Sequence, residues 1–192
     1  GSIQRTLYWD QNTRMPSASA AWRGEQLSLL AKYLHVRQSS SQFEELLNKA
    51  KIEFEQSFGS DEMDSIELLA KSKNLELLDK DLNRQKRLDP NLISHIASAQ
   101  AEGYSVWQEA KSRSDFSLFA PALKRLIDLR KEQASQLAEP RSCWETLAQS
   151  FEPDLSVKRM QELFAPLRKK LPQLLEKVRG WNISNRRKWD LD

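Results

Sequence analysis

Apolar residues recur along most of this chain at the spacing of an α-helix, and this pattern restricts the fold more than any other feature. One such set is Leu27, Leu30, Ala31 and Leu34, and another is Met160, Phe164, Leu167, Leu171, Leu174 and Val178. Residues three, four and seven apart lie on the same face of a helix, so each set predicts one apolar stripe. Strand-favouring residues are scarce, with three Thr and four Val in 192 residues. The sequence therefore predicts an all-α fold, a single multi-helix domain over residues 1–192.

Capping residues mark where helices begin. Asp89 precedes a proline, a typical helix start, because the acid caps free backbone N–H groups and proline fits the first turn. Asp115 predicts a second cap, with Phe116 and Phe119 as an apolar staple and Pro121 at the helix start.

A segment near the start of the chain, LYWDQNTRMP at residues 7–16, predicts an aromatic elbow. A short turn over residues 3–9 would end at Trp9, and Pro16 would set the start of the next helix, which runs to about His35. Gly1 and Ser2 resemble the remnant of a cleaved purification tag.

The charge balance argues against several classes of function. The chain has 30 Lys and Arg against 27 Asp and Glu, a formal net charge of +3, and both signs are mixed along it. This balance is too weak to indicate a nucleic-acid partner. No apolar run approaches the roughly 18 residues of a membrane span, and the opening residues do not resemble a signal peptide. Cys143 is the single cysteine, so no internal disulfide can form, which favours the cytoplasm.

The sequence offers few residues for catalysis or metal binding. His35 and His95 belong to no HExxH motif, and a zinc site needs three or four converging ligands. His35 is interpreted as a helix-end residue whose cationic form suits the helix dipole, with a ligand role as the alternative. His95 is interpreted as a core-edge residue, and Cys143 as a small buried hydrophobe, with a nucleophile as the alternative. No glycine-rich phosphate loop is present, so no residue is predicted to be catalytic or to bind a metal or cofactor.

Six tryptophans are the other notable residues. Four of them, Trp9, Trp22, Trp107 and Trp144, fall near predicted apolar faces or elbows and are interpreted as core anchors. The other two lie in GWNISNRRKWDLD, residues 180–192, which mixes basic and aromatic side chains. This end is interpreted as a surface tail, with binding of a nucleic-acid strand as the alternative.

Three segments carry spaced motifs in one order along the chain. The first, residues 7–35, contains Trp9-Asp10-Gln11, Met15-Pro16, Arg23 and His35. The second, residues 106–134, contains Trp107, Asp115-Phe116, Phe119 and Pro121. The third, residues 144–178, has a short helix that ends at Glu152-Pro153, followed by a longer helix. Together they resemble the carboxypeptidase Taq family of zinc metallocarboxypeptidases, whereas residues 180–192 do not fit and are interpreted as a diverged tail.

The resemblance implies an almost wholly helical enzyme built around a deep groove, with this chain as its N-terminal wall and part of its canopy. It implies a parent protein that removes C-terminal amino acids from peptides, with zinc or a similar divalent metal as cofactor. The family's HExxH motif lies beyond the matched region, so the resemblance assigns no catalytic or metal residue here, and the chain alone is expected to be inactive. The alternative is a non-catalytic helical protein-interaction module, or a truncated paralogue.

The stripe from Met160 to Val178 has a special pattern, because its residues alternate in steps of four and three. This narrow seam is typical of helix pairing. It is expected to be an exposed face through which the chain self-associates as a homodimer, with packing inside the domain as the alternative. Neither nucleic acid nor a membrane is an expected partner.

Overall fold

The computed structural model describes residues 2–56 and 65–184, with side chains described as far as residue 180. Its α-helices are α1 (Ser2–Thr13), α2 (Ala20–Gln38), α3 (Ser41–Gln56), α4 (Ser65–Gln85), α5 (Pro90–Arg113), α6 (Phe116–Leu137), α7 (Cys143–Ala148) and α8 (Val157–Ser184). A 3-10 turn, Ser17–Ser19, precedes α2. Within these described ranges there is no strand, so the all-α prediction is confirmed. The residues Gly59-Ser60-Asp61, which the sequence predicts to end one helix and cap the next, lie outside the described residues.

The long helix α5 lies at the centre of residues 1–140, between α2 and α6. It runs antiparallel to α2, since Ser28 contacts Ser94 while Lys32, further along α2, contacts Asn91, further back on α5. Glycines lie at the contacts between these helices, since Gly24 of α2 faces Ser98 of α5 and Gly103 of α5 faces Leu126 of α6. The buried side chains of this core are Leu27, Leu47, Leu82, Leu88, Leu92, Ile96, Ala99, Ala101, Ala110, Ala134 and Leu137.

The predicted caps at α5 and α6 are confirmed. Asp89 accepts a hydrogen bond from the backbone N–H of Asn91 at 2.6 Å, and Asp115 accepts one from Ser117 at 2.9 Å. Helix α6 ends where Ala138 adopts the left-handed conformation, with φ of 47°. These contacts satisfy backbone groups that helix ends leave without partners.

Two boundary predictions were wrong. Helix α1 continues through Trp9 to Thr13, so the elbow is confined to the residues before the extended Pro16. Helix α6 starts at Phe116, so Pro121 lies inside it and not at its start. In both places the hydrogen bonds of a continuous helix outweigh the local tendency of aromatic residues and proline to interrupt it.

The chain divides into two compact units, residues 1–140 and 141–192. In the second unit, α7 begins with a capping box, in which Ser142 accepts from the Glu145 N–H and the Glu145 carboxylate accepts from the Ser142 N–H. Helix α8 then runs through two internal prolines without interruption. The prediction of one domain over residues 1–192 stays a prediction.

Candidate functional site: a buried arginine junction

A buried polar cluster of the first matched segment centres on Arg23, which is 7% exposed. Its guanidinium forms an ion pair with the Asp10 carboxylate and donates a hydrogen bond to the backbone carbonyl of Leu7. Its Nε donates to Gln26 Oε1 at 3.0 Å. These contacts join α1 to α2. We call this cluster, together with Gln11 and the carbonyl of Ala101, the arginine junction.

Helical spacing explains why these groups meet. Leu7 and Asp10 are three residues apart on α1, and Arg23 and Gln26 are three apart on α2, so each pair projects from one face of its helix. A planar guanidinium can donate in several directions at once, so one arginine can bridge a carbonyl, a carboxylate and an amide. The arginine junction therefore fixes the position of α1 on α2.

Gln11 extends the arginine junction to a third helix. It is 8% exposed, and its Nε2 donates a long hydrogen bond, 3.5 Å, to the carbonyl of Ala101 in α5. Its Oε1 is buried and meets no donor among the described residues. The Trp-Asp-Gln motif thus acts through its two polar members, which point into the protein.

The aromatic members of the motifs do not anchor the core, and this prediction was wrong. Trp9 is 60% exposed, Trp22 62%, Trp107 40% and Trp144 45%. Trp22 lies next to buried Arg23 but about 100° around the helix, outside the contact with α5. Trp107 instead packs on its own helix, against Tyr104 at 5.7 Å between ring centroids and under Lys111 Nζ at 5.0 Å.

The second matched segment forms the turn between α5 and α6. Asp115 accepts a hydrogen bond from the Ser117 hydroxyl at 2.6 Å and a second one from the Ser117 backbone N–H at 2.9 Å. These two bonds hold the pKa of Asp115 below its ordinary value. Phe116 packs edge-to-face on Phe119 with ring centroids 6.3 Å apart. Phe116 is nevertheless 66% exposed, and Pro121 is exposed. The staple closes a turn at the surface.

The third matched segment lies in the second unit. Glu152 and Pro153 are exposed residues of the turn after α7, where the Glu152 N–H donates to the Ala148 carbonyl at 2.8 Å. Glu145 holds this turn to the next helix by accepting from the Val157 N–H at 2.9 Å. That bond, followed by those from Ser142, lowers the pKa of Glu145.

A second buried polar cluster was missed at the C-terminal end of α2. His35, predicted to be a helix-end residue, does lie in the last turn but is 3% exposed. Its Nδ1 lies 2.9 Å from Gln85 Oε1 and its Nε2 lies 2.9 Å from the Leu88 carbonyl oxygen. Arg84, which precedes Gln85 in the sequence, pairs with Glu139. The sequence signal was weak, since the partners lie 50 or more residues away.

The two other residues considered for chemistry lie at the surface. Cys143 is exposed, and His95 is exposed, so the interpretations as a buried hydrophobe and a core-edge residue were wrong. In residues 2–56 and 65–184, no three His, Cys, Asp or Glu side chains converge as metal ligands would. His35 already has both ring nitrogens engaged. The His, Cys, Asp and Glu side chains of the described residues therefore do not fit a zinc centre, and no catalytic step can be assigned to them.

Two buried polar clusters, one at Arg23 and one at His35, therefore connect helices of residues 1–140. None of them is long and apolar enough to cross a membrane. Residues 1–191 match the family model of the carboxypeptidase Taq (M32) metallopeptidases, and the chain belongs to this family. The resemblance seen in the three matched segments is confirmed. The match includes residues 180–191, which the sequence motifs alone left outside the family pattern.

The curated relatives that this chain resembles are carboxypeptidases and are much longer. Thermostable carboxypeptidase 1 of Thermus thermophilus is 29% identical over 188 residues, which cover 93% of this chain and 35% of the relative. Carboxypeptidase 1 of Bacillus subtilis is 27% identical over 172 residues, covering 90% of this chain and 32% of the relative. The chain thus spans about a third of the length of the curated relatives it matches.

Solved structures support the fold. The crystal structure of BsuCP has a TM-score of 0.78 and 26% identity, over 90% of this chain and 33% of that chain. Pyrococcus furiosus carboxypeptidase, in a structure described as Apo-Mg, has a TM-score of 0.68 and 25% identity. The match covers 94% of this chain and 34% of that chain. The helical arrangement is therefore that of one part of a carboxypeptidase.

Proposed function

We propose that this chain is the N-terminal helical part of a metallocarboxypeptidase that removes C-terminal amino acids from peptides. The observation that carries the proposal is the family match over residues 1–191. The curated relatives are carboxypeptidases, and the chain matches about a third of their length. The parent acts in the cytoplasm with zinc or a similar divalent metal. Its metal ligands lie outside this chain, which is inactive alone.

In this proposal the helices form a wall and part of a canopy of the peptide-binding groove. The arginine junction supports the proposal, since it joins α1, α2 and α5 by buried polar contacts that cannot slide as apolar contacts can. A wall that lines a groove must keep its position while a peptide binds. The chain supplies positioning, and the rest of the enzyme supplies the metal and the chemistry.

A chimera tests the proposal. Residues 1–191 would replace the matched N-terminal third of Bacillus subtilis carboxypeptidase 1, and release of the C-terminal residue from an N-blocked dipeptide would be measured. We expect hydrolysis by the chimera and none by the 192-residue chain or by the Bacillus protein without its matched third.

The controls separate a folding failure from a wrong function. A chimera that melts cooperatively and binds zinc but does not hydrolyse the dipeptide contradicts the proposal and favours the helical interaction module. A Trp22→Ala version serves as a matched control, because this exposed residue lies outside the arginine junction and should leave activity unchanged.

A further inference from the structure

The apolar seam of α8 is half-buried at Met160 and exposed from Phe164 to Val178. Its residues Phe164, Leu167, Leu171, Leu174 and Val178 are each between 45% and 55% exposed. Their contacts within the second unit leave at least this fraction of each side chain open. Apolar residues at such a spacing on one helix face form a surface suited to a second helix.

The residues beside the seam carry one sign of charge. One flank consists of Leu163, Lys170 and Lys177, and the other of Gln161, Arg168 and Leu175. Neither flank has an acid. All these residues are exposed, and no ion pair to Arg168, Lys170 or Lys177 occurs in the described part of the chain.

The acids of α8 lie away from the seam and already have partners. Glu162 pairs with Arg159 at 3.5 Å, and Glu176 pairs with Arg179 at 3.3 Å. They face outward, so they cannot neutralise the flanks. The seam is therefore an apolar stripe between two basic edges.

This charge pattern disfavours a second copy of α8 as the occupant. If two copies of α8 pair in parallel, the flank with Lys170 and Lys177 on one copy lies beside the flank with Arg168 on the other. If they pair antiparallel, each flank lies beside the same flank of the other copy. Every charged pair formed either way is Lys or Arg against Lys or Arg, which is repulsive. A helix with Asp or Glu beside its own apolar stripe forms attractive pairs in the same positions.

We propose that the α8 seam docks one amphipathic helix of the same metallocarboxypeptidase, with carboxylates on both sides of its apolar stripe. The inference rests on the proposed function for the source of the helix. The basic flanks select the partner helix and its register, while the seam supplies the buried area.

Two synthetic peptides test this selection with the intact 192-residue chain. Both are 28-residue helices with Leu along the seam positions, and one has Glu at the flanks while the other has Lys. We expect the Glu peptide to bind about tenfold more tightly at low salt, since three exposed ion pairs replace three repulsive ones. The preference should decrease as salt is added.

Matched variants place the selectivity on the flanks. Lys170→Glu with Lys177→Glu should reverse the preference toward the Lys peptide. Lys158→Glu with Lys169→Glu changes the net charge equally, at outward positions of the same helix, and should leave the preference for the Glu peptide unchanged. Unchanged helical circular dichroism and an unchanged melting temperature of each variant show that the fold is retained.

Three results would overturn the inference. They are equal binding of both peptides, tighter binding to anionic phosphatidylserine vesicles than to the Glu peptide, and a homodimer in sedimentation that Leu167→Glu with Leu174→Glu dissociates. An inactive chimera would contradict the proposed function without changing the peptide preference, so the two failures can be told apart.

Discussion

Breaking the Asp10–Arg23 ion pair from its two sides should cost different amounts of stability. The Arg23 side chain is 9% exposed, whereas the Asp10 side chain is 36% exposed. Removing a partner leaves the other charge behind, and a stranded charge is more costly the less water reaches it. A guanidinium cannot lose its proton, while a carboxylate can be hydrated or protonated.

The magnitudes follow from this asymmetry. Asp10→Ala strands the deeply buried guanidinium and should lower the free energy of unfolding by about 3–5 kcal/mol. Arg23→Met keeps most of the buried volume and strands a carboxylate that water reaches. It should cost about 2–3 kcal/mol, from the lost hydrogen bonds to the Asp10 carboxylate, the Leu7 carbonyl and Gln26 Oε1. The double variant should recover part of the larger loss, because neither charge is left alone.

Urea denaturation followed by far-ultraviolet circular dichroism measures all three variants. Lys124→Met is the matched control, since Lys124 pairs with Asp128 at 2.6 Å but is 76% exposed, and its loss should cost less than about 1 kcal/mol. Arg23→Met costing more than Asp10→Ala, or a double variant as unstable as the sum, would refute the reasoning from burial.

Four further outcomes are expected. A Cβ on Gly24 would lie 3.4 Å from Ser98 Oγ, whereas one on Gly103 would lie 3.2 Å from Leu126 Cδ1, which is a tighter contact. Gly24→Ala should therefore raise the free energy of unfolding in urea by about 0.5–1 kcal/mol, and Gly103→Ala should raise it by less. Ser142→Ala removes the capping box and should speed amide hydrogen exchange in α7, consistent with a loss of about 1 kcal/mol. Lys73 and Lys80 lower the pKa of Glu76 from 4.5 to about 2. The stability that ionised Glu76 adds to α4 is therefore complete above pH 4.5 and is lost as the pH falls toward 2. Glu76→Gln should remove this part of the loss of helicity in acid. Elemental analysis of the purified chain should find no stoichiometric zinc, and one tightly held zinc per chain would contradict the proposed role.

Local signals predicted the helices and two of their caps well. Asp89 and Asp115 each cap a helix by accepting a hydrogen bond from the backbone N–H two residues later. Because the two partners are neighbours in the chain, this contact can be predicted from the sequence. The capping box at Ser142 had the same kind of signal, a Ser followed three residues later by Glu145, and was missed. The exposure of the α8 seam was also predicted.

Burial could not be predicted in the same way. A tryptophan is the most apolar member of its motif, yet Trp9 lies at the surface while Asp10, Gln11 and Arg23 are largely or partly inside. The choice depends on which face of α1 meets α2 and α5. That contact is made by polar groups whose partners come from other helices, so no periodicity within α1 reveals it.

The antiparallel contact of α2 with α5 has a consequence for synthesis on the ribosome. Ser28 meets Ser94, a partner 66 residues later in the chain. At about 5–20 residues per second, roughly 3 to 13 s separate the appearance of these two residues. During this interval the stripe of α2 that carries Leu27 has no α5 to cover it, whereas α3 can already pair with α4. Helix α2 should therefore become protected from amide hydrogen exchange in the nascent chain only after α5 has emerged.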